Sequence, residues 1–207
     1  MKIDPAALRA RDVYQYMIGV ITPRPIAWVS TISPAGITNL APFSFFNGVG
    51  ANPPTVVFSA VNRRDGARKD TVVNAEATGE LVVNMVPYAA REPMNATSED
   101  LPYEVSEFER CGVAALPSER VRPPRVAASP VQLECVLHQV VRVGEGALAA
   151  NVVIARIVLM HIADAVLDAD GRVDPRALDT IGRMGGAGYA RTTDLFFLPR
   201  PGAKGEG

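Results

Sequence analysis

Runs of apolar residues separated by turn residues divide the chain into short segments that are typical of strands. These runs are rich in β-branched and aromatic residues, which favour strands over helices. Pro42 interrupts one run, which indicates a sheet edge or a bulge there. The predicted strands cover residues 26–32, 37–47, 55–61, 80–86, 131–143 and 151–162. Because they follow one another with few helices between them, the pattern predicts a mainly β fold whose antiparallel sheet closes, or nearly closes, on itself.

Helices are predicted only as short additions to this sheet. Asp4 and Asp70 are the expected N-caps of the first two, because a carboxylate accepts hydrogen bonds from the free N–H groups of a first turn. The predicted helices cover residues 5–18, 70–78, 89–98, 105–110 and 174–179.

The segment of about residues 100–130 differs from the rest, because prolines recur at positions 102, 117, 123, 124 and 130. We interpret residues 1–207 as a single domain with an irregular, proline-rich excursion in this segment. Phe108, Val113 and Leu116 are expected to be buried. The excursion is therefore expected to cover a site or a neighbouring subunit.

Composition excludes several classes of protein. With 48% hydrophobic residues and a net charge of −1, the chain is expected to fold and not to bind nucleic acid. No apolar run approaches the roughly 18 residues that a membrane-spanning helix needs, so no membrane association is expected. Cys111 and Cys135 are expected to be buried, reduced thiols, which fits the cytoplasm. His138 and His161 lack neighbouring metal-ligand residues, so no metal site is expected.

A first group of candidate site residues consists of short polar side chains on and beside two paired strands. Such groups can donate to and accept from the edge of a flat polar ring such as a flavin. The alternative is that they are ordinary strand and turn residues facing water. The group comprises Ser30, Thr31, Asn39, Ser44 and Asn47.

A second group, in the loop before the second helix, suits a phosphate. Arg64 can bind two phosphate oxygens, Lys69 adds a point charge, and Thr71 lies at a helix N-terminus that favours anions. The alternative is a solvated charged loop.

A third group lies near the end of the chain. Gly185 and Gly186 let the backbone approach a ligand closely, and Tyr189 can pack on it. The alternative is a plain turn.

An ordered set of short motifs resembles the FMN-binding split-barrel proteins of the flavin reductase-like family. The motifs occur between about residues 13 and 192, in the order that the family shows. They are RPIA at 24–27, NLAPFSFFN at 39–47, NPP at 52–54, KDT at 69–71, VVN at 82–84, PPR at 123–125, SPVQLEC at 129–135 and GRMGG at 182–186.

This resemblance implies a Greek-key split barrel that forms a homodimer with FMN near the interface. It also implies NAD(P)H-dependent reduction of flavin, or alternatively a non-catalytic, flavoredoxin-like electron carrier. No catalytic side chain is expected, because hydride passes directly between stacked nicotinamide and flavin rings. By the resemblance, Thr31, Ser44 and Asn47 match ring-contacting positions, Arg64, Lys69 and Thr71 match the phosphate side, and Ser30, Asn39, Ser59 and Tyr189 are further cofactor-binding positions.

Overall fold

Antiparallel strands form most of the regular structure in the computed structural model, which describes residues 1–199 and 201–202. The strands are β1 (Arg24–Pro25), β2 (Ala27–Ile32), β3 (Thr38–Phe43), β4 (Phe46–Ala51), β5 (Pro54–Val61), β6 (Glu80–Met85), β7 (Ala115–Leu116), β8 (Arg125–Val126), β9 (Val131–Val143), β10 (Ala150–Ile162), β11 (Ile181–Arg183) and β12 (Tyr189–Arg191). Seven of them form one sheet in the order β3–β2–β6–β9–β10–β5–β4, and β1, β11 and β12 form a smaller one. The prediction of a mainly β fold is confirmed.

The helices are short and lie around the sheet. They are α1 (Ala10–Val20), α2 (Asp70–Thr78), α3 (Arg91–Ala96), α4 (Glu107–Arg110) and α5 (Pro175–Leu178), with 3₁₀ turns at Pro5–Ala7, Tyr88–Ala90 and Asp164–Val166. Within the described part of the chain, no helix has the length and apolar character needed to cross a membrane.

The strand predicted over residues 37–47 is two strands. β3 pairs with β2 and β4 pairs with β5, so the two lie at opposite edges of the seven-stranded sheet. The chain changes partner at Ser44 and Phe45, where no glycine or proline signals a break. The expectation for Pro42 is confirmed, because its strand β3 is an edge strand, where a residue without an N–H group is tolerated.

Two expectations about helix starts need correction. The helix predicted over 5–18 begins only at Ala10, and Asp4 instead caps the preceding 3₁₀ turn by accepting from the Ala6 N–H at 3.0 Å. Asp70 is not an N-cap. Lys69 holds that position, and the Asp70 carboxylate instead accepts from Arg63 Nη2 at 2.6 Å. A charge-assisted hydrogen bond to a guanidinium is stronger than one to a neutral N–H, which explains the exchange.

Two hydrophobic clusters lie on opposite faces of β2, as the alternation of side chains along a strand requires. Val29 belongs to the cluster enclosed by the large sheet and α2, together with Phe58. Trp28 points the other way and packs with Leu40 and Phe108. The Trp28 indole Nε1 donates to Thr97 Oγ1 at 2.8 Å, so this buried ring keeps its polar atom paired.

The proline-rich excursion is attached to the sheet by hydrogen bonds and by the buried side chains of Phe108 and Val126. The buried carboxylate of Glu134 on β9 accepts from the backbone N–H groups of residues 119–121 and contacts His161 Nε2 at 2.6 Å. Phe108 is buried as expected and Val113 is half-buried against the same cluster, but Leu116 is 38% exposed, so the expectation for Leu116 is wrong.

The two cysteines are free, as expected, but differ in environment. Cys135 is fully buried, and burial raises the pKa of its thiol to about 12. Cys111 is half-buried. The Cys135 thiol is therefore protonated and unreactive at neutral pH.

Candidate functional site

A groove runs beside the edge strand β3. It consists of two adjoining cavities of about 70 Å³ and about 170 Å³, and both are lined by Pro42 and Ser98. We call the two cavities together the edge groove. The smaller cavity, lined by Arg63 and Lys69, is its cationic end. The larger, lined by Ser44 and Tyr189, is its tyrosine end.

Arg63 is the central residue of the cationic end. Its Nη2 is bound to Asp70, but its Nε is buried and has no hydrogen-bond partner among the described residues. A buried donor without a partner is costly and rare in folded proteins, so it points to a missing acceptor. The sequence prediction chose its neighbour Arg64 instead, which is exposed and does not line the cavity.

Lys69 and the first turn of α2 complete this end. Lys69 Nζ forms an ion pair with Asp100. The hydrogen bond from Lys69 lowers the pKa of the Asp100 carboxyl, and the charges of Arg63 and Arg64 add to the effect. Lys69 is the N-cap of α2, so this ion pair lies at the helix N-terminus, where backbone N–H groups lack intrahelical acceptors.

The tyrosine end of the groove offers an aromatic ring and side chains that form hydrogen bonds. The Arg183 guanidinium carbon lies 4.4 Å from the centroid of the Tyr189 ring. The Tyr189 hydroxyl donates to Asn95 Oδ1 at 3.3 Å. Ser44 Oγ accepts from Arg24 Nε at 3.3 Å and so presents a fixed hydroxyl at the cavity wall.

Arg24 was not predicted as a site residue, but it positions the tyrosine end of the groove. It is buried, and its guanidinium donates to the carbonyls of Ile18 at 2.7 Å, Ile21 at 2.6 Å and Met184 at 3.0 Å. These bonds tie α1 to the turn between β11 and β12. Burial lowers the pKa of the Arg24 side chain. The sequence offered a signal in the RPIA motif, but no indication of these partners.

Gly185 serves a contact within the protein. A Cβ atom on Gly185 would lie 3.3 Å from the Gly19 Cα of α1, so the absence of a side chain lets the β11–β12 turn touch the helix. Gly186 has a φ of +57°, which a glycine adopts without strain.

A buried polar network lies behind the cationic end. Asn39 Oδ1 accepts from the hydroxyls of Thr31 at 3.1 Å and Thr71 at 2.8 Å. Asn39 Nδ2 donates to the carboxylate of Glu107 at 3.0 Å. Thr31 also accepts from Asn74 Nδ2 at 3.2 Å. The polar side-chain atoms of these residues are therefore bonded to one another, although Asn39 and Thr71 also line the cavity of the cationic end.

Glu107 connects this network to the excursion. Its carboxylate also accepts from the backbone N–H of Leu40 at 2.9 Å. Burial raises the pKa of Glu107, although the hydrogen bonds from Leu40 and Asn39 act in the opposite direction. The sequence prediction missed this residue, because no pattern connects a glutamate in the excursion with an asparagine 68 positions earlier.

Three other predicted residues lie outside the edge groove. Ser30 is fully buried on the Trp28 face of β2, and its hydroxyl donates to the Pro124 carbonyl. Asn47 is exposed on β4, where its Oδ1 accepts from the Gly48 N–H at 2.8 Å. Ser59 lines a separate apolar pocket of about 720 Å³ between Phe45 and α1.

Comparison with known proteins gives a consistent result. The family model described as "Flavin reductase like domain" matches residues 20–177. The crystal structure of nitrilotriacetate monooxygenase component B from Bacillus cereus superposes with a TM-score of 0.90 at 35% identity, covering 96% of this chain and 98% of that one. The 2-nitrobenzoate 2-nitroreductase NbaA from Pseudomonas fluorescens gives a TM-score of 0.88 at 31% identity, covering 98% of both chains.

A third structure identifies the architecture. It is a split-barrel domain protein from Shewanella frigidimarina, with a TM-score of 0.82 at 25% identity, covering 97% of this chain and 99% of that one. The predicted split barrel is therefore confirmed. Because the family model spans most of the sequence and the similar folds extend over nearly all of it, the chain belongs to the flavin reductase-like domain family.

Proposed function

We propose that this protein is an FMN-binding oxidoreductase that uses NAD(P)H to reduce flavin. The observation that carries the proposal is the unpartnered, buried Nε of Arg63, in a cavity that also holds Lys69 and the N-terminus of α2. Two similar proteins support the reaction class, since one is named a monooxygenase component and the other a nitroreductase.

The cationic end fits a phosphate monoester. The Arg63 Nε, the Lys69 ammonium and the free N–H groups of the first turn of α2 are all donors, and the phosphate oxygens are strong acceptors. Asp70 and Asp100 pair with these cations in the free protein. A phosphate would have to share or replace the exposed Lys69–Asp100 pair, which is cheap because such pairs contribute only about 0–1 kcal/mol.

The tyrosine end suits the flavin ring. Ser44 offers a hydroxyl held by Arg24, and Tyr189 offers an aromatic face backed by Arg183. FMN, when bound, would supply the hydride acceptor. The protein's part is to bind and orient, because hydride transfer between stacked rings needs no acid or base from the chain. We therefore assign no catalytic side chain.

We propose further that the working form is a homodimer. The two cavities of the edge groove, about 70 Å³ and 170 Å³, are smaller than the roughly 300–1,000 Å³ of most small-molecule sites, so a flavin would extend beyond them. The edge strand β4 is exposed along most of its length, with Val49 60% exposed. A second copy covering this edge would protect the strand from unwanted pairing. The two free thiols fit a cytoplasmic protein.

The test is to purify the protein gently, denature it and identify any released chromophore by mass. Oxidation of NADH and NADPH is then followed at their near-ultraviolet absorbance with added FMN. We expect a yellow protein that releases FMN and oxidises at least one nicotinamide nucleotide only when flavin is present. Tight FMN binding without any oxidation of NADH or NADPH would contradict the reductase proposal and support the electron carrier. A colourless protein that ignores added FMN would contradict both.

A further inference from the structure

A second open pocket adjoins the tyrosine end of the edge groove. It has a volume of about 400 Å³ and is lined by Asn95 and Tyr189, which also line the groove. Tyr88, Arg91 and Arg191 form its other polar and aromatic wall. We call it the Tyr88 pocket. Its size is within the range of small-molecule sites, and none of the groups proposed to bind FMN phosphate lies in it.

Tyr88 is held by two arginines. The guanidinium carbons of Arg91 and Arg191 each lie 4.3 Å from the centroid of its ring. Arg91 also donates to the Tyr88 carbonyl at 3.1 Å, and Arg191 makes two hydrogen bonds to Asp179 at 2.6 Å and 2.7 Å. These contacts fix both cationic groups at the pocket wall, so little side-chain entropy is left to lose when a ligand binds.

The two arginines of the pocket are ion-paired, and the uncompensated positive charge lies at the border with the groove. Arg91 pairs with Glu92 and Arg191 pairs with Asp179, but no carboxylate lies within 4.0 Å of Arg183 in the described part of the chain. Arg183, stacked on Tyr189, therefore adds an uncompensated charge where groove and pocket meet. Guanidinium groups beside tyrosine rings favour a ligand that combines a flat ring with a phosphate or a carboxylate.

We propose that the Tyr88 pocket binds the anionic, aromatic part of the second substrate, next to the flavin in the edge groove. This inference rests on the proposed function. The same chemistry can come from two sources: the adenosine diphosphate half of a nicotinamide dinucleotide, or an aromatic carboxylate that accepts electrons. In either case the pocket would orient the second substrate toward the flavin ring at Tyr189.

The test titrates the FMN-loaded protein with ADP-ribose and, separately, with benzoate, and measures the heat of binding. The Arg91→Gln/Arg191→Gln double variant removes both charges and keeps most of each side chain. Arg91→Gln alone, at a side chain that is 42% exposed, serves if the double variant does not fold. The matched control is Arg142→Gln, which removes a similarly exposed, ion-paired arginine distant from the pocket. FMN affinity is measured for each variant by fluorescence.

We expect at least one probe to bind, with an affinity reduced about tenfold or more in the double variant and unchanged in the control. The probe that binds identifies the source. Binding of neither probe, or equal loss in the control variant, would overturn the proposal. If the protein binds no FMN, both probes are titrated into the protein without FMN. A probe affinity that falls in the double variant would then support the pocket, although the proposed function would have failed.

Discussion

The wall of the edge groove and the polar network behind it contain similar residue types, but their polar atoms are paired to different degrees. In the network, Asn39 receives hydrogen bonds from two threonine hydroxyls and donates its own N–H groups to Glu107. In the wall, Arg63 keeps a buried Nε with no partner among the described residues. Saturated polar groups hold a scaffold in place, whereas an unsaturated one marks where a ligand can bind.

The comparison changes the roles of the predicted residues. The side chains of Thr31, Asn39 and Thr71 are hydrogen-bonded within the network, but Asn39 and Thr71 also line the cavity, so their contact with a cofactor stays a prediction. Arg63 was not predicted, yet it has the donor that the cavity leaves free. The difference predicts that substitutions in the network mainly change stability, and that substitutions in the wall mainly change affinity.

The largest expected effect is on the network. Asn39→Leu would leave two hydroxyls and the Glu107 carboxylate without their buried partner, so the free energy of unfolding should fall by about 2–4 kcal/mol. Urea denaturation measures the change. The control is Gln139→Leu at an exposed position of β9, which should change stability by no more than about 0.5 kcal/mol. Equal effects of the two substitutions would contradict the role of the network.

The next effect is on the wall. Arg63→Ala removes the unpartnered donor, and a charge-assisted hydrogen bond is worth about 1.5–3 kcal/mol, so FMN should bind at least about tenfold more weakly. Riboflavin, which lacks the phosphate, should bind as before. Fluorescence titration with both ligands measures this. Arg68→Ala is the matched control, because Arg68 lies in the same loop and pairs with Glu76 instead. The same loss for both ligands would place the phosphate elsewhere.

The third expected effect is on how the network's contribution to the free energy of unfolding changes with pH. Burial raises the pKa of Glu107, so the folded state keeps this proton at pH values where the unfolded chain has lost it. Its contribution to the free energy of unfolding should therefore fall as pH rises from the unfolded-state pKa through the folded-state pKa. Glu107→Gln should lack this component. The difference in unfolding free energy between wild type and variant, measured from about pH 4 to pH 8, checks it. A difference that is independent of pH would show that Glu107 is not perturbed.

The smallest expected effect concerns the ion pair at the cationic end. Asp100→Asn removes the carboxylate that pairs with Lys69, so the ammonium becomes available to a phosphate. Because exposed pairs contribute about 0–1 kcal/mol, FMN affinity should rise by up to about fivefold, and riboflavin affinity should not change. Titration at low ionic strength measures the difference most clearly. Weaker FMN binding in this variant would show that Asp100 assists the ligand.

Much of the fold could be predicted from local patterns. The long strands β9 and β10 consist of apolar runs on either side of a glycine-containing loop, and both were predicted nearly to the residue. The separation of β3 from β4 was not predicted, because Ser44 and Phe45 carry no turn signal. That run is divided only because β3 pairs with β2 and β4 pairs with β5.

The site was less predictable than the fold. The KDT motif located the cationic end, but sequence alone does not tell which of the adjacent Arg63 and Arg64 faces inward. Thr31 and Asn39 face each other on neighbouring strands, but the other bonds of the network join residues 32 to 68 positions apart, so their pairing is decided by tertiary packing. Arg24 was a visible motif residue, but one of its three carbonyl acceptors, that of Met184, lies 160 positions away.

The most direct test of the central claim is a calorimetric titration of the purified wild-type protein with FMN and with riboflavin under the same conditions. If Arg63, Lys69 and the N-terminus of α2 hold a phosphate, FMN should bind at least about tenfold more tightly than riboflavin. Equal affinities for the two ligands, or no binding of either, would contradict the account.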